Sequence, residues 1–178
     1  MKPKIIIIGA GGHGKVVCDA IEAQNKYEIL GFVDTTIPVG QLVTGKYTVI
    51  ASQNNSSSLK EQAEYFIVAI GSNSIRSDIF NSLKQILKPA IVIHPSSVIG
   101  SNTSIGDGCV VLPNSVINSF TSIGENTIVG TGVLIDHECK IGSNIHLSLG
   151  TIVGSNSEVT DNYTTSIGAI IESFSKIR

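Results

Sequence analysis

Residues 123–154, IGENTIVGTGVLIDHECKIGSNIHLSLGTIVG, repeat one pattern every six residues. An aliphatic residue recurs at this interval from Ile99 to Val159, eleven times without a break. The residue four places beyond it is mostly small, as Thr127 and Cys139 are. A fixed short period predicts a stacked solenoid. Six residues make one flat face, three faces close a triangular coil, and neighbouring coils pair as parallel strands.

The repeat is predicted to lose its phase after Tyr163–Thr164. Thr165 occupies the next aliphatic step, and Ile167–Gly168 resumes the pattern two residues late. No further coils are expected in the closing AIIESFSKIR. The C-terminal coils are therefore predicted to be truncated.

Residues 1–88 follow a different pattern, in which buried strands alternate with helices. The pattern predicts strands over Lys4–Ile8, Tyr27–Val33 and Tyr65–Ile70, a short helical segment over Ser58–Ala63, and two longer helices over Lys15–Gln24 and Ile75–Leu87. In the second helix, Ile75, Ile79, Leu83 and Leu87 are expected to share one buried face. Alternating strands and helices predict a parallel sheet. The predicted fold class is a small Rossmann-like α/β domain (1–90) followed by a left-handed parallel β-helix (91–178).

The segment IIIIGAGGHGKVV (5–17) fits two nucleotide-binding patterns. Gly9, Gly11 and Gly14 form the dinucleotide fingerprint, whereas Gly9, Gly14 and Lys15 form an ATPase phosphate loop up to its last residue. That last residue should be Ser or Thr to hold magnesium, but it is Val16. The ATPase interpretation therefore fails.

The first helix and the strand ends offer groups for a nucleotide. Backbone amides of Gly11 and Gly12 can hold a phosphate at the positive end of the helix. Asp34 follows Gly14 at the spacing, about 20 residues, from which an acidic side chain can accept hydrogen bonds from a ribose or a base. Gly71 leaves the carboxyl edge of the sheet open. A tight strand-to-helix turn without a ligand is the alternative.

Charge and composition exclude several classes of protein. The net charge is −2, with 15% charged residues and no basic run, so nucleic-acid binding is not expected. No apolar run is long enough to cross a membrane, and the first residues lack the charged, apolar and small-residue zones expected of a signal peptide. The three cysteines lack CxxC spacing, which favours neither a disulfide framework nor a zinc site. We therefore expect a cytoplasmic protein.

Four motifs in order give the chain a family likeness: GAGGHGK, a second strand ending FVD, a third ending VAIGSN, and hexapeptide repeats containing IDHECKIG. Over roughly residues 3–164 the chain resembles the hexapeptide acyltransferases of the sialic-acid O-acetyltransferase type, whose relatives N-acetylate UDP-linked 4-amino sugars. The resemblance implies a homotrimer with active sites between adjacent β-helices and acetyl-CoA as the acetyl donor.

The resemblance also assigns roles to particular residues. His137 is implied to be the general base, Glu138 the residue that tunes it, and His146 a contact of acetyl-CoA. The residues implied to contact the nucleotide sugar are Gly11, Gly12, His13, Asp34, Thr35 and Gly71. Outward polar side chains of a coil can instead be ordinary solvent-exposed groups. His94, at the junction between the two halves, is interpreted as a linker or first-coil histidine, and Cys139 is expected to be structural.

Several alternatives stay open. The acceptor could be an amine on a UDP-linked 4-amino sugar or a hydroxyl on a sialic acid, since one histidine base suits both. Gly11 and Thr35 replace residues that are often Ser and Asp in relatives, which leaves the nucleotide base open. A nucleotide-sugar-binding or assembly protein without catalysis is a further possibility. A trimeric zinc enzyme is disfavoured, because His137 and His146 lie on different faces and no third repeat histidine exists.

Overall fold

The computed structural model describes residues 1–52 and 59–178. The chain forms two compact units, Met1–Ala90 and Ile91–Arg178, called here the first domain and the β-helix domain. A short helix predicted over Ser58–Ala63 begins outside the described residues. Within the part of the chain that is described, no helix is long and apolar enough to cross a membrane.

The first domain is a five-stranded sheet with two described helices. Its strands lie in the order β3–β2–β1–β4–β5, and every neighbouring pair is parallel. The strand bounds are β1 Lys4–Ile8, β2 Glu28–Val33, β3 Val49–Ala51, β4 Tyr65–Val68 and β5 Lys88–Pro89. The helices are α1 Gly12–Gln24 and α2 Asn73–Leu83. The predicted parallel sheet is confirmed.

The buried face of the second helix differs from the face predicted from spacing. Helix α2 buries Arg76, Phe80 and Leu83, whereas Ile75, which was expected in the core, is 51% exposed. The prediction was wrong for Ile75, whereas Leu83 and Leu87 are buried as expected and Ile79 packs against the same core. The helix begins two residues earlier than predicted, at Asn73. It packs on the sheet through Phe80, whose ring centroid lies 5.9 Å from that of Phe66.

The β-helix domain consists of short strands of two residues each, arranged in three parallel sheets. Face 1 contains β7 Val98–Ile99, β10 Val116–Ile117, β13 Leu134–Ile135, β16 Ile152–Val153 and β18 Ile170–Ile171. Face 2 contains β8 Ser104–Ile105, β11 Ser122–Ile123, β14 Lys140–Ile141, β17 Glu158–Val159 and β19 Lys176–Ile177. Face 3 contains β6 Val92–Ile93, β9 Val110–Val111, β12 Ile128–Val129 and β15 His146–Leu147.

One coil of the β-helix comprises three repeats, because Val116 pairs with Val98 on one side and with Leu134 on the other. The second residue of each strand points to the axis. There Ile117, Val129 and Leu147 are fully buried in one continuous apolar core. The predicted six-residue period is thus the geometry of the coil, and the predicted fold class is confirmed.

The predicted break after Tyr163–Thr164 is wrong. Thr165 takes the axial position and is 4% exposed. Ile171 and Ile177 follow it at steps of six in strands β18 and β19. The buried Thr165 hydroxyl is satisfied, since it lies 2.7 Å from the Thr151 hydroxyl and accepts from the Ser148 amide at 2.8 Å. A polar side chain therefore continues the period at a place where the sequence suggested an interruption.

Candidate functional site

A cleft of about 430 Å³ opens at the carboxyl ends of β1, β2 and β4 in the first domain. Its lining combines the glycine loop after β1, the loop after β2 and the loop after β4. All six residues predicted to contact a nucleotide sugar line it: Gly11, Gly12, His13, Asp34, Thr35 and Gly71. The carboxyl edge of a parallel sheet is the usual position of a nucleotide in such folds.

The glycines of this loop have different structural roles. Gly9 has φ of 103°, which disfavours any side chain, and a Cβ on Gly14 would overlap the carbonyl oxygen of Gly9. These two glycines are therefore required by the turn and by the packing of helix on strand. A Cβ on Gly11 or Gly12 would meet only open space. Both face a region with room for a ligand, next to the helix end where the first amide donors of α1 lie.

Asp34 organises the loops around the cleft. Its Oδ2 accepts a hydrogen bond from the Ala10 amide at 2.8 Å, while Oδ1 accepts from the amides of Thr36 and Ile37 and from the Thr36 hydroxyl. Burial by itself would raise the pKa of this carboxyl. The hydrogen bonds outweigh that effect and lower the pKa to about 2. Asp34 is therefore an ionised tie between two loops, with one acceptor position left on Oδ2.

Arg76 supports the third loop of the cleft from beneath, a role that was not predicted from the sequence. The side chain is 1% exposed. Its Nη1 donates to the carbonyl oxygens of Ile70 at 3.1 Å and Gly71 at 3.2 Å, and Nη2 donates to Asn73. In a trans peptide the N–H and the C=O of the same peptide unit point in opposite directions. The amides of Gly71 and Ser72 are thereby directed away from the guanidinium.

The second group of side chains predicted to be functional lies at a corner of the β-helix, where the chain leaves face 1. His137 Nδ1 lies 2.9 Å from Glu138 Oε2, and both side chains are about half exposed. Asp136 Oδ1 accepts from the His137 amide at 2.8 Å and from Asn118 Nδ2, one coil earlier, at 3.0 Å. These bonds lower the pKa of the Asp136 carboxyl. The carboxylate that contacts the imidazole is thus Glu138.

Thr121 holds this corner from inside the coil. Its hydroxyl donates to the carbonyl oxygen of Asp136 at 2.9 Å and accepts from the Cys139 amide at 3.2 Å. It therefore fixes the backbone on both sides of His137. The small inward position had been predicted for shape alone, but its hydroxyl also satisfies backbone groups of the next coil. Cys139 itself is buried, and burial raises the pKa of its thiol, so it is a structural residue rather than a nucleophile.

The remaining histidines of the β-helix domain lie apart from this corner. His146 belongs to strand β15 of face 3, pairs with Ile128 and is half-buried, so one chain does not bring it to the corner of His137. His94 contacts its own turn, with Nδ1 2.8 Å from the Ser96 hydroxyl. Among the described residues, no group of three His, Cys, Asp or Glu side chains is arranged to hold a metal ion.

The first domain was compared with known protein families. Residues 4–83 match the family described as PglD N-terminal domain. The first domain is therefore similar to this family. The glycine loop, Asp34 and Gly71 all lie within the matched range.

Two curated relatives match part of the chain. UDP-N-acetylbacillosamine N-acetyltransferase of Bacillus subtilis (strain 168) is 27% identical over 110 residues, which is 60% of this chain and 50% of the relative. GDP-perosamine N-acetyltransferase of Escherichia coli O157:H7 is 32% identical over 111 residues, which is 59% of this chain and 49% of the relative. The chain thus matches about half the length of these curated relatives.

Solved structures match both the first domain and the β-helix domain. The acetyltransferase domain of PglB from Neisseria gonorrhoeae FA1090 has a TM-score of 0.78 and 28% identity, covering 98% of this chain and 88% of that domain. The same domain in complex with acetyl coenzyme A has a TM-score of 0.74 and 29% identity, covering 99% and 96%. A perosamine N-acetyltransferase variant from Caulobacter crescentus, in complex with CoA and GDP-perosamine, shares the fold at 22% identity and a TM-score of 0.81, covering 97% and 90%.

These matches confirm the family resemblance that the motifs predicted. The relatives combine the same N-terminal domain and the same repeat domain, in the same order. In this chain, six of the residues predicted to be functional line one cleft, and the predicted pair His137 and Glu138 are in contact at a corner of the β-helix.

Proposed function

We propose that this chain is an acetyl-CoA-dependent acetyltransferase that N-acetylates a nucleotide-linked amino sugar. The observation that carries the proposal is the contact between the His137 imidazole and the Glu138 carboxylate on the outside of a β-helix corner, 2.9 Å apart. An imidazole oriented by a carboxylate is the usual arrangement of a general base. The names of the relatives, which are sugar N-acetyltransferases, support the reaction class.

In this proposal His137 accepts a proton from the attacking amine. Its Nδ1 faces Glu138, so Nε2 is the ring nitrogen directed to the acceptor. The amine attacks the thioester carbonyl of acetyl-CoA, the tetrahedral intermediate expels the thiolate of CoA, and the proton leaves on that sulfur. Asp136 Oδ1 instead accepts from the His137 amide and from Asn118, so in this proposal Asp136 holds the backbone of the corner.

The nucleotide part of the acceptor binds, in this proposal, in the cleft of the first domain. Open space beside Gly11 and Gly12 accommodates a diphosphate at the start of α1. The loop that contains Asp34 and Thr35, together with His13 and Gly71, completes the wall. A UDP-linked 4-amino sugar is the acceptor proposed from the resemblance, and a GDP-linked amino sugar is its closest competitor, given the two curated relatives.

Binding of acetyl-CoA is proposed to involve His146 and a second copy of the chain. His137 and His146 lie on different parts of one coil, so a site that uses both is built between chains. Face 1 presents an outward row of aliphatic side chains along the β-helix: Val98, Val116, Leu134, Ile152 and Ile170. Val98 is 59% exposed and Ile170 is 66% exposed. Such an apolar row favours burial against other copies, and the resemblance favours a homotrimer.

We place this activity in the cytoplasm. The three cysteines are free thiols in the structure and all are buried, as is usual for a protein of a reducing compartment.

A panel of acceptors tests the proposal. Purified protein is mixed with acetyl-CoA and, in separate reactions, a UDP-linked 4-amino sugar, a GDP-linked 4-amino sugar, a UDP-sugar without an amine, and a sialic acid. Free thiol release reports turnover. We expect release with an amine-bearing nucleotide sugar and none with the amine-free UDP-sugar. Release with sialic acid alone would assign O-acetylation instead. No release with any acceptor would favour a binding protein without catalysis.

A further inference from the structure

The corners of the β-helix share one backbone requirement. The residue three places after each axial residue from Ile99 to Ile171 has a positive φ between 56° and 76°. In this conformation Gly and Asn are tolerated, and larger side chains rarely occur. Most corners obey the rule: Asn102, Gly108, Asn114, Asn126, Gly132, Asn144, Gly150, Asn156, Asn162 and Gly168.

Three corners carry neither Gly nor Asn, and all three lie on the same edge of the β-helix. They are Phe120, Glu138 and Phe174, with φ of 62°, 59° and 62°. Each follows a strand of face 1, namely β10, β13 and β18, so all three positions belong to the edge between face 1 and face 2. The edge is the one that carries His137. Two of these corners, those of Phe120 and Glu138, lie in the coil of the proposed catalytic base and in the coil before it.

Phe120 is the exception nearest to the base. It occupies the coil before Glu138 on the same edge, and paired strands of neighbouring coils are about 4.8 Å apart. The Glu138 amide donates to the carbonyl oxygen of Ser119, next to Phe120, at 3.1 Å. The Asn118 side chain reaches Asp136 at 3.0 Å. The segment 118–120 is thus bonded directly to the segment 136–138.

Neither packing nor local geometry accounts for a phenylalanine at this position. Its side chain is 64% exposed, so the ring contributes little to the core, and asparagine would fit the backbone better. Strained residues that persist next to a reactive group are often retained for function. Covering an exposed aromatic ring with an apolar surface gives a favourable free energy, because the ring buries a large apolar area.

We propose that Phe120 is an acceptor-binding residue, whose ring packs against the apolar C–H face of the amino sugar and directs the amine toward Nε2 of His137. The inference rests on the proposed function, since it names a further residue of that site. The ring carries no charge and no hydrogen-bonding group, so the contact is with the carbon skeleton of the pyranose rather than with its hydroxyls.

Phe174 supplies a matched control. It has the same φ and a 75% exposed ring on the same edge, but it lies two coils beyond the coil of Glu138. Phe120→Asn and Phe174→Asn both replace a strained residue by one that suits the corner. Each is expected to raise Tm by about 2–4 °C, the shift that relief of one such strain gives in a chain of this size.

Steady-state kinetics then separates the two variants. In Phe120→Asn we expect the acceptor KM to rise roughly tenfold with the acetyl-CoA KM unchanged, whereas Phe174→Asn keeps both KM values. Phe120→Tyr, which retains the ring, should restore the acceptor KM. An acceptor KM unaltered in Phe120→Asn would overturn the inference, as would a loss of oligomers by light scattering in that variant, which would assign the ring to a contact between chains. Wild-type protein without turnover would instead refute the proposed function itself.

Discussion

The Nδ1 atom of His137 lies 2.9 Å from Oε2 of Glu138, the next residue in the chain. Successive side chains of a strand point to opposite faces of the sheet, so sequence neighbours seldom meet. Here the two residues form a corner, and Glu138 has φ of 59°. The left-handed turn lets the adjacent side chains face each other. The pairing of imidazole and carboxylate therefore depends on the backbone of the corner.

Replacing the base tests its role. His137→Ala is expected to lower kcat roughly 10²- to 10⁴-fold, the range for loss of a general base, with a much smaller effect on the acceptor KM. Steady-state rates with acetyl-CoA measure both. His94→Ala is the control, because it removes a histidine of the same domain that contacts its own turn at Ser96. An unchanged kcat in His137→Ala would contradict the mechanism.

The support of the corner by Thr121 gives a second prediction. Thr121→Val keeps the shape but removes the hydroxyl that bonds the Asp136 carbonyl and the Cys139 amide. We expect a loss of about 1–3 kcal/mol in the free energy of unfolding, together with a lower kcat.

Thr127→Val is the matched control for that change. Thr127 makes the same two bonds at a different corner, to the Gly142 carbonyl and the Ile145 amide. Denaturant unfolding should show similar losses in both variants, while only Thr121→Val lowers kcat at a temperature where both are folded. Equal kcat values would show that the corner of His137 does not need this bond.

The ionisation of the Asp34 carboxyl makes the free energy of unfolding depend on pH. Its pKa of about 2 lies below the ordinary value of about 3.9. The stabilisation by its charged form is therefore complete above the ordinary pKa and is lost as pH falls through the folded-state pKa. Asp34→Asn should be less stable than wild type at neutral pH, and the difference should shrink as the solution is acidified. Urea unfolding at several pH values measures it. A difference that stayed constant with pH would refute this linkage.

The same variant tests the cleft. Because Asp34 ties the loop at Ala10 to the loop at Thr36, Asp34→Asn should weaken UDP binding in calorimetry and leave acetyl-CoA binding unchanged. If both affinities fell together, the proposed division into two binding regions would be wrong.

Arg76 gives a prediction about nucleotide affinity without a contact to the nucleotide. Arg76→Lys keeps the charge but cannot reproduce the fork that holds two carbonyl groups. We expect weaker UDP binding with a modest loss of Tm. Arg76→Met leaves the Ile70 and Gly71 carbonyls without this donor and should destabilise by about 1–3 kcal/mol for each group left unsatisfied. Full UDP affinity in Arg76→Lys would limit Arg76 to a stabilising role.

The repeat domain was largely predictable, because its period is a property of side chains. Every axial position from Ile99 to Val159 could be identified from the sequence. Thr165 broke the apolar pattern yet kept the geometry, since Thr151 and Ser148 satisfy its hydroxyl. Hydrogen-bond partners from other coils cannot be inferred from the composition of one repeat. Asn and Gly also recur every six residues at the corners. This second period is present in the sequence, but the prediction used only the aliphatic one.

The first domain was harder to predict in detail. The glycine loop and Asp34 were identified by spacing, but the four hydrogen bonds that Asp34 accepts come from loop geometry. Arg76 was missed because a charged residue is rarely fully buried. Its burial depends on the carbonyl groups of Ile70 and Gly71, just before helix α2, and the direction in which these carbonyls point cannot be read from the sequence.

The most direct test of the proposed function follows the acetyl group itself. Wild-type protein and His137→Asn are incubated with isotopically labelled acetyl-CoA and a UDP-linked 4-amino sugar, and mass spectrometry of the sugar product locates the label. We predict a labelled amide on the sugar nitrogen with wild type and a rate lower by roughly 10²- to 10⁴-fold with the variant. Folded wild type that leaves both this sugar and its GDP-linked counterpart unlabelled, or equal labelling by the variant, would contradict the proposed function.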